Sequence, residues 1–174
     1  MTTLLEQGMA QGLITDGALA ASGAQRAAFW RLREEQPEGQ RLEGPQLKHD
    51  ISVLPARIAD FIARGNDLCN GTLPGIRINP FGHLADGNIH YNLTPPPGQG
   101  DFANHDATLT HGLAELATAM GGSFAAEHGL GRSKVVLADA LRPKVERDLH
   151  RRIKTAFDPA GLLNPGVILA EIDK

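Results

Sequence analysis

The dipeptide Asp86-Gly87, which lies between two mixed runs of apolar and polar residues, constrains the fold of this chain more than any other feature. Asp-Gly between strand-forming segments is a strong signal for a β-hairpin with a two-residue turn. Counting outward from such a turn places His83 directly opposite His90 on one face of the hairpin. Directly opposed residues of antiparallel strands have Cβ atoms about 4.5–5.5 Å apart. The sequence therefore predicts a hairpin on which two imidazoles can bind one metal ion.

A second group of polar residues, Glu127-His128, adds a carboxylate and a third imidazole. Two histidines and one carboxylate leave coordination positions open, as catalytic divalent metals require, and the remaining histidine could act as a base. The simpler interpretation is that the hairpin histidines are exposed polar side chains. The second group would then be a turn before a helix, with Gly129 and Gly131 easing the backbone. Sequence alone does not bring the two groups together, so both interpretations stay open.

The order of predicted elements indicates the fold class. Alternation and helical spacing of apolar residues predict strand, helix, strand, strand, helix and strand in turn. That order is typical of an α+β, ferredoxin-like split-βαβ antiparallel sheet with helices on one face and further flanking helices. The predicted ranges are 47–53, 54–63, 76–84, 88–93, 103–120 and 123–128. We expect residues 1–46 to form a helical arm and residues 47–174 to form the main domain.

Composition excludes several classes of function. The net charge of -3 and the 5% aromatic content argue against nucleic-acid binding or a membrane-surface role. A single cysteine, Cys69, rules out an internal disulfide framework and a multi-cysteine zinc site. No apolar run approaches the roughly 20 residues that cross a bilayer. We therefore expect a cytoplasmic protein without a transmembrane segment. A homodimer is a separate expectation, based on apolar surface that a missing partner domain would leave exposed.

Three motifs together resemble one protein family. They are FGHLADGNIHYN at 81–92, EHGLGRSK at 127–134 and FDPAGLLNPG at 157–166, and the likeness extends to WRLR at 30–33 and KHDIS at 48–52. The chain is similar to the carboxy-terminal cap and substrate domain of FAD-linked oxidases of the vanillyl-alcohol-oxidase type. It looks most like the D-2-hydroxyacid dehydrogenases, which include D-lactate and D-2-hydroxyglutarate dehydrogenases.

The resemblance implies a role for particular side chains. A divalent metal, often zinc, would be held by His83, His90 and Glu127. The catalytic base would be His128. The substrate would be contacted by Arg33, Lys48 and Asn92, and the flavin ring would lie near Asn164. Some relatives that take dicarboxylates carry a hydroxyl residue at the position of Pro37, and proline offers no such group to a second carboxylate.

The resemblance also implies a reaction and its cofactor. A D-2-hydroxy acid would be oxidised to a 2-oxo acid by hydride transfer to FAD. In this family FAD is bound mainly by a separate amino-terminal domain or subunit, and no part of this sequence resembles it. We therefore expect the chain to be a fragment that is inactive alone. The alternatives are a flavin-independent metal hydrolase and a non-enzymatic module that binds a hydroxy acid.

Overall fold

A computed structural model describes residues 2–170 of the chain, which form seven α-helices and three β-strands. The helices are α1 Thr2–Ala10, α2 Gly23–Glu34, α3 Gln36–Leu42, α4 Ile58–Thr72, α5 Asp106–Ala119, α6 Val135–Leu141 and α7 Lys144–Phe157. The strands are β1 Leu47–Ser52, β2 Arg77–His83 and β3 Asn88–Thr94. The chain divides into two compact units, residues 1–43 and 44–174. No helix within residues 2–170 is both long enough and apolar enough to cross a membrane.

The first unit consists of α1, α2 and α3. Helix α2 begins after Ser22, whose hydroxyl accepts a hydrogen bond from the backbone N–H of Gln25 at 3.2 Å, the usual arrangement of an N-cap. Helix α3 follows after a single residue, and Pro37 in its first turn has the fixed φ that suits a helix start. Neither α1 nor α2 buries a residue. Helix packing within this unit therefore contributes little hydrophobic stabilisation.

The second unit contains a three-stranded antiparallel sheet in the order β1-β3-β2, so the prediction of an α+β fold is confirmed. The predicted fourth strand, 123–128, is reduced to one bridge. The backbone groups of Ser52 and Ser123 exchange two hydrogen bonds of 2.8 Å at the free edge of β1. That edge is where the fourth strand of a split-βαβ sheet would pair.

One face of the sheet packs against α4 and α5. Its buried side chains are Ile51, Ile89, Tyr91 and Leu93. The ring of Phe61 from α4 meets the ring of Tyr91 edge-on, with centroids 5.8 Å apart, and the Tyr91 hydroxyl donates to the Asn66 side chain at 2.7 Å. Burial of these apolar groups is the main force that fixes this face against the helices. The opposite face of the sheet is the polar one.

The hairpin turn differs from the predicted two-residue turn. Residues 84–86 form a single 3₁₀ turn, and the N–H of Gly87 donates to the carbonyl of Leu84 at 3.3 Å. Gly87 has a left-handed conformation (φ 72°), and its carbonyl accepts a hydrogen bond from the N–H of Val53 at 3.0 Å. A Cβ at Gly87 would lie 2.0 Å from the Val53 carbonyl oxygen. The loop thus comprises four residues, 84–87. Its last residue is hydrogen-bonded to Val53, which directly follows β1.

The longer loop changes the register of the hairpin. His83 pairs with Asn88, and His90 pairs with Phe81. The prediction that His83 and His90 are directly opposed is therefore wrong. Since the register shifts by two residues, both histidines still lie on one face, as diagonal neighbours whose separation is typically about 7–8 Å.

Candidate functional site

The sheet face opposite the core, here called the polar face, carries three cross-strand rows of side chains. Reading from β1 through β3 to β2, the rows are Lys48–Asn92–Asn79, Asp50–His90–Phe81 and Ser52–Asn88–His83. Residues that pair across antiparallel strands point to the same side of a sheet. The fold therefore collects four predicted site residues on this face: Lys48, His83, His90 and Asn92.

The first row brings two predicted substrate contacts next to each other. Lys48 and Asn92 are direct cross-strand partners on β1 and β3. Lys48 is exposed, whereas Asn92 is buried at 6% exposure. A cation beside a hydrogen-bonding amide can bind a carboxylate.

The buried carboxylate of Asp50 connects the polar face to the segment that carries Glu127 and His128. One carboxylate oxygen accepts the backbone N–H of Glu127 at 2.7 Å and that of His128 at 2.8 Å. The other accepts the side-chain N–H of Asn88 at 3.1 Å, and the Asp50 carbonyl accepts the N–H of Ala126 at 3.2 Å. The segment makes no ladder beyond its single bridge, since the N–H groups of Glu127 and His128 donate to the Asp50 side chain instead of to the backbone of β1.

Hydrogen bonding, not burial, decides the charge state of Asp50. Burial by itself raises the pKa of a carboxyl group, since the charged form loses water. The N–H groups of His128 and Glu127, followed by the Asn88 side chain and the His128 ring, outweigh that effect and lower the pKa of Asp50. Asp50 is thus a carboxylate at neutral pH, and it lies 3.7 Å from Nδ1 of His128.

Two of the predicted histidines are in ring contact. The rings of His90 and His128 stack with centroids 5.9 Å apart and an interplanar angle of 15°. On β2, Phe81 packs against His90 with centroids 5.2 Å apart. The His128 side chain remains 68% exposed, so it is accessible to a substrate. The predicted base therefore lies beside a predicted metal ligand.

The predicted metal ligands are near one another in the fold, but their side chains do not converge. Among residues 2–170, no group of three or more His, Cys, Asp or Glu side chains is arranged to hold a metal ion. His83 and Glu127 are both exposed, and His83 lies one row away from His90. The donor set itself, two imidazoles and a carboxylate, suits zinc and similar divalent ions.

The remaining predicted residues lie in other parts of the chain. Arg33 is in α2, within the first unit, and is partly buried. Asn164 is in the turn after α7 and has a left-handed backbone (φ 46°). This turn is organised by Asp158, whose two carboxylate oxygens accept the N–H groups of Leu162 and Leu163 at 2.9 and 2.8 Å. Asn164 is exposed there.

Two polar residues near the site have no role in the sequence prediction. Lys134 is partly buried, and its ammonium donates to the carbonyl of Phe124 at 3.0 Å. Burial lowers the pKa of Lys134, whereas the charge of Asp50 raises it, and burial prevails. The sequence does contain a signal for Asp50. Alternation along β1 places this charged residue on the polar face, between His49 and Ile51, which point to the buried face.

Comparison with known proteins gives the family. The family described as FAD linked oxidases, C-terminal domain, matches residues 1–168. A D-2-hydroxyglutarate dehydrogenase of Xanthomonas citri pv. viticola is 36% identical over 167 residues, which cover 95% of this chain and 35% of that protein. One from Stutzerimonas stutzeri is 33% identical, covering 92% of this chain and 35% of that protein. The mitochondrial D-2-hydroxyglutarate dehydrogenase of Danio rerio is 34% identical, covering 92% of this chain and 29% of that protein.

The chain belongs to the family of FAD-linked oxidase C-terminal domains, as its three motifs predict. It spans about a third of the length of the curated relatives it matches. Bacterial and mitochondrial proteins both occur among these relatives. A cytoplasmic location therefore stays a prediction.

Proposed function

We propose that this chain is the substrate-binding part of a flavin-dependent dehydrogenase that oxidises a D-2-hydroxy acid to a 2-oxo acid. D-2-hydroxyglutarate is the first candidate substrate, because relatives that cover nearly the whole chain carry that name. The observation that supports this proposal best is the polar face. Predicted substrate contacts and histidines share one side of the sheet, and Asp50 holds the Glu127–His128 segment beside them.

The Lys48–Asn92 row would bind the carboxylate next to the reacting carbon. The Lys48 ammonium supplies positive charge, and the neighbouring Asn92 amide supplies hydrogen bonds that orient the acid. Arg33 is the second predicted cation, and a guanidinium would hold a carboxylate in two parallel hydrogen bonds. This assignment requires an acid with at least one carboxylate near the hydroxyl carbon, as every 2-hydroxy acid has.

His128 would take the proton of the substrate hydroxyl. The Asp50 carboxylate, 3.7 Å from Nδ1, favours the tautomer with a proton on Nδ1 and leaves Nε2 as the acceptor. The exposed ring stacks on His90, a residue of the polar face, which supports this role. FAD, bound mainly by an amino-terminal domain or subunit and near Asn164, would supply the hydride acceptor.

His83, His90 and Glu127 would hold a divalent metal, with zinc as the first candidate. The donor chemistry fits, and side-chain rotation is needed to gather the three groups. When bound, the metal would supply a positive charge that lowers the pKa of the substrate hydroxyl. The residues of this chain would then only have to orient the acid and accept its proton.

The metal assignment is tested on the purified chain after chelation. We expect calorimetric titration with Zn²⁺ to show one site, which H83A and E127A abolish. The control H111A removes an exposed imidazole from α5 and should leave zinc binding unchanged. Retention of the site in both H83A and E127A would overturn the ligand assignment.

The reaction is tested by fusing the chain to the flavin-binding part of the Xanthomonas citri relative. We expect the fusion to reduce a dye acceptor with D-2-hydroxyglutarate, and H128Q to lower the rate by about 10²–10⁴-fold. Substitution K48M should raise KM more than it lowers kcat. A fusion that binds FAD but oxidises no D-2-hydroxy acid would contradict the proposal. Metal-dependent ester hydrolysis by the chain without flavin would favour the hydrolase alternative.

A further inference from the structure

Asp50 is a buried charged residue at the centre of the site, and the proposed reaction uses it only through its neighbours Glu127 and His128. It is 4% exposed and contacts three consecutive residues of the segment 126–128. We propose that Asp50 is a positioning residue, which fixes both the backbone that presents Glu127 and the ring of His128. This inference rests on the proposed function, since it assigns the positioning of that same site.

The hydrogen-bond pattern of the segment is the main argument. In a β-ladder, consecutive amides point to opposite sides of the strand. Here the consecutive N–H groups of Glu127 and His128 converge on one oxygen of Asp50, at 2.7 and 2.8 Å. The preceding N–H, of Ala126, donates to the carbonyl of the same residue. One residue of β1 therefore sets the direction of three successive peptide groups.

The second carboxylate oxygen is oriented independently. It accepts the side-chain N–H of Asn88, which is itself buried at 4% exposure. That hydrogen bond turns the amide oxygen of Asn88 away from Asp50, and among the described residues this oxygen has no hydrogen-bond partner. An unpaired buried carbonyl is costly, so a donor from a bound ligand or a rotated imidazole is expected there. Asn88 shares the polar face with His83 and His90.

Charge complementarity supports the same role. A buried carboxylate is tolerated when several hydrogen bonds and a nearby positive charge compensate for lost hydration. Lys134 supplies such a charge and also donates to the carbonyl of Phe124, two residues before the segment. The imidazole of His128 lies at its end, with Nδ1 3.7 Å from Asp50. Groups that interact with the Asp50 carboxylate thus contact the backbone just before the segment and lie at its last residue.

The test compares two buried carboxylates that make similar contacts. D50N removes the charge that holds Glu127 and His128, and the control D158N does the same for the amides of Leu162 and Leu163. Amide hydrogen exchange is followed by NMR in the purified chain. We expect D50N to accelerate exchange of residues 127 and 128 by about 10- to 100-fold, since hydrogen bonds to charged groups are lost. D158N should accelerate only residues 162 and 163.

A metal readout separates positioning from simple loosening of a loop. Co²⁺ is titrated into the chelated chain and followed by its visible absorption spectrum. We expect D50N to keep one Co²⁺ site with an affinity about 10- to 100-fold weaker and with an altered spectrum, as is typical when a group that orients metal ligands is changed. D158N should keep the wild-type affinity and spectrum.

A second variant keeps the test decisive if D50N does not fold. D50E retains the charge but moves the carboxylate by one methylene, so it should also release the amides of residues 127 and 128. Wild-type protection of both amides in D50N or D50E would overturn the proposal, and so would a wild-type Co²⁺ spectrum and affinity. If the wild-type chain bound no Co²⁺, the metal part of the proposed function would fail. Amide exchange would still decide the role of Asp50.

Discussion

Gly87→Ala is the substitution whose cost can be worked out most directly from the hairpin. A left-handed residue with a Cβ costs about 1–2 kcal/mol, and Gly87 has φ 72°. The added Cβ would also lie 2.0 Å from the carbonyl oxygen of Val53, so the two backbones must separate. Separation breaks the buried hydrogen bond from the Val53 N–H to the Gly87 carbonyl, which costs about another 1–3 kcal/mol. The expected loss of unfolding free energy is therefore about 2–5 kcal/mol.

Gly98→Ala is the matched control. Gly98 is also left-handed (φ 84°), but a Cβ there would have no atom within 4 Å. Its substitution should therefore cost only the conformational part, about 1–2 kcal/mol. The difference between the two variants isolates the contact between the hairpin loop and β1.

The assay is urea unfolding with linear extrapolation. The chain has one Trp and one Tyr, and Tyr91 is buried in the sheet unit. Introducing W30F into every variant makes Tyr91 the reporter of that unit alone. If the Gly87 and Gly98 variants lost the same stability within about 0.5 kcal/mol, the structural account of the loop would be refuted, because surface changes have effects of that size.

Three further predictions concern the core and the terminal turn. Gly65→Ala should cost about 1–3 kcal/mol in urea unfolding, because its Cβ would lie 3.0 Å from the Tyr91 hydroxyl oxygen and 3.1–3.2 Å from the ring. Gly71→Ala on the same helix has open space and should gain about 0.5–1 kcal/mol. The pKa of Asp158 is lowered to about 2, first by its hydrogen bond from a lysine, and its unfolded value is near 4. The contribution of Asp158 to stability is therefore fully present above about pH 4 and is lost as the pH falls towards 2. An NMR titration of this carboxyl group with a midpoint near 4 would contradict the lowered pKa. Burial raises the pKa of the Cys69 thiol to about 11, so iodoacetamide should label it at neutral pH only after urea unfolds the chain, as mass spectrometry would show.

The fold class could be predicted because its signals are local. Alternation of apolar and polar residues requires only neighbouring positions, and the strand that it predicts at 47–53 agrees with β1, Leu47–Ser52. The Asp86-Gly87 dipeptide located the chain reversal, and the three motifs indicated the family. The turn length could not be obtained in this way, because it depends on a hydrogen bond between Gly87 and Val53, which belong to different parts of the chain.

The composition of the site shows the same limit. Sequence reasoning selected His90 and His128, and the fold stacks their rings. It gave no role to Asp50, because the amides that Asp50 accepts are 77 and 78 positions away and belong to the backbone, which carries no sequence signal. The sequence also does not say whether a metal gathers His83, His90 and Glu127, because that depends on how their side chains rotate in the fold.

The amino-acid sequence by itself determined the α+β class, the position of the hairpin and the family, because these depend on periodicity, turn chemistry and motif identity. Tertiary structure alone decided the hairpin register, the loss of all but one bridge of the fourth strand and the central place of Asp50. Each of these depends on which distant backbone N–H or carbonyl group finds a partner when the chain is packed. A buried polar group must find such a partner, and the sequence does not say which one it will be.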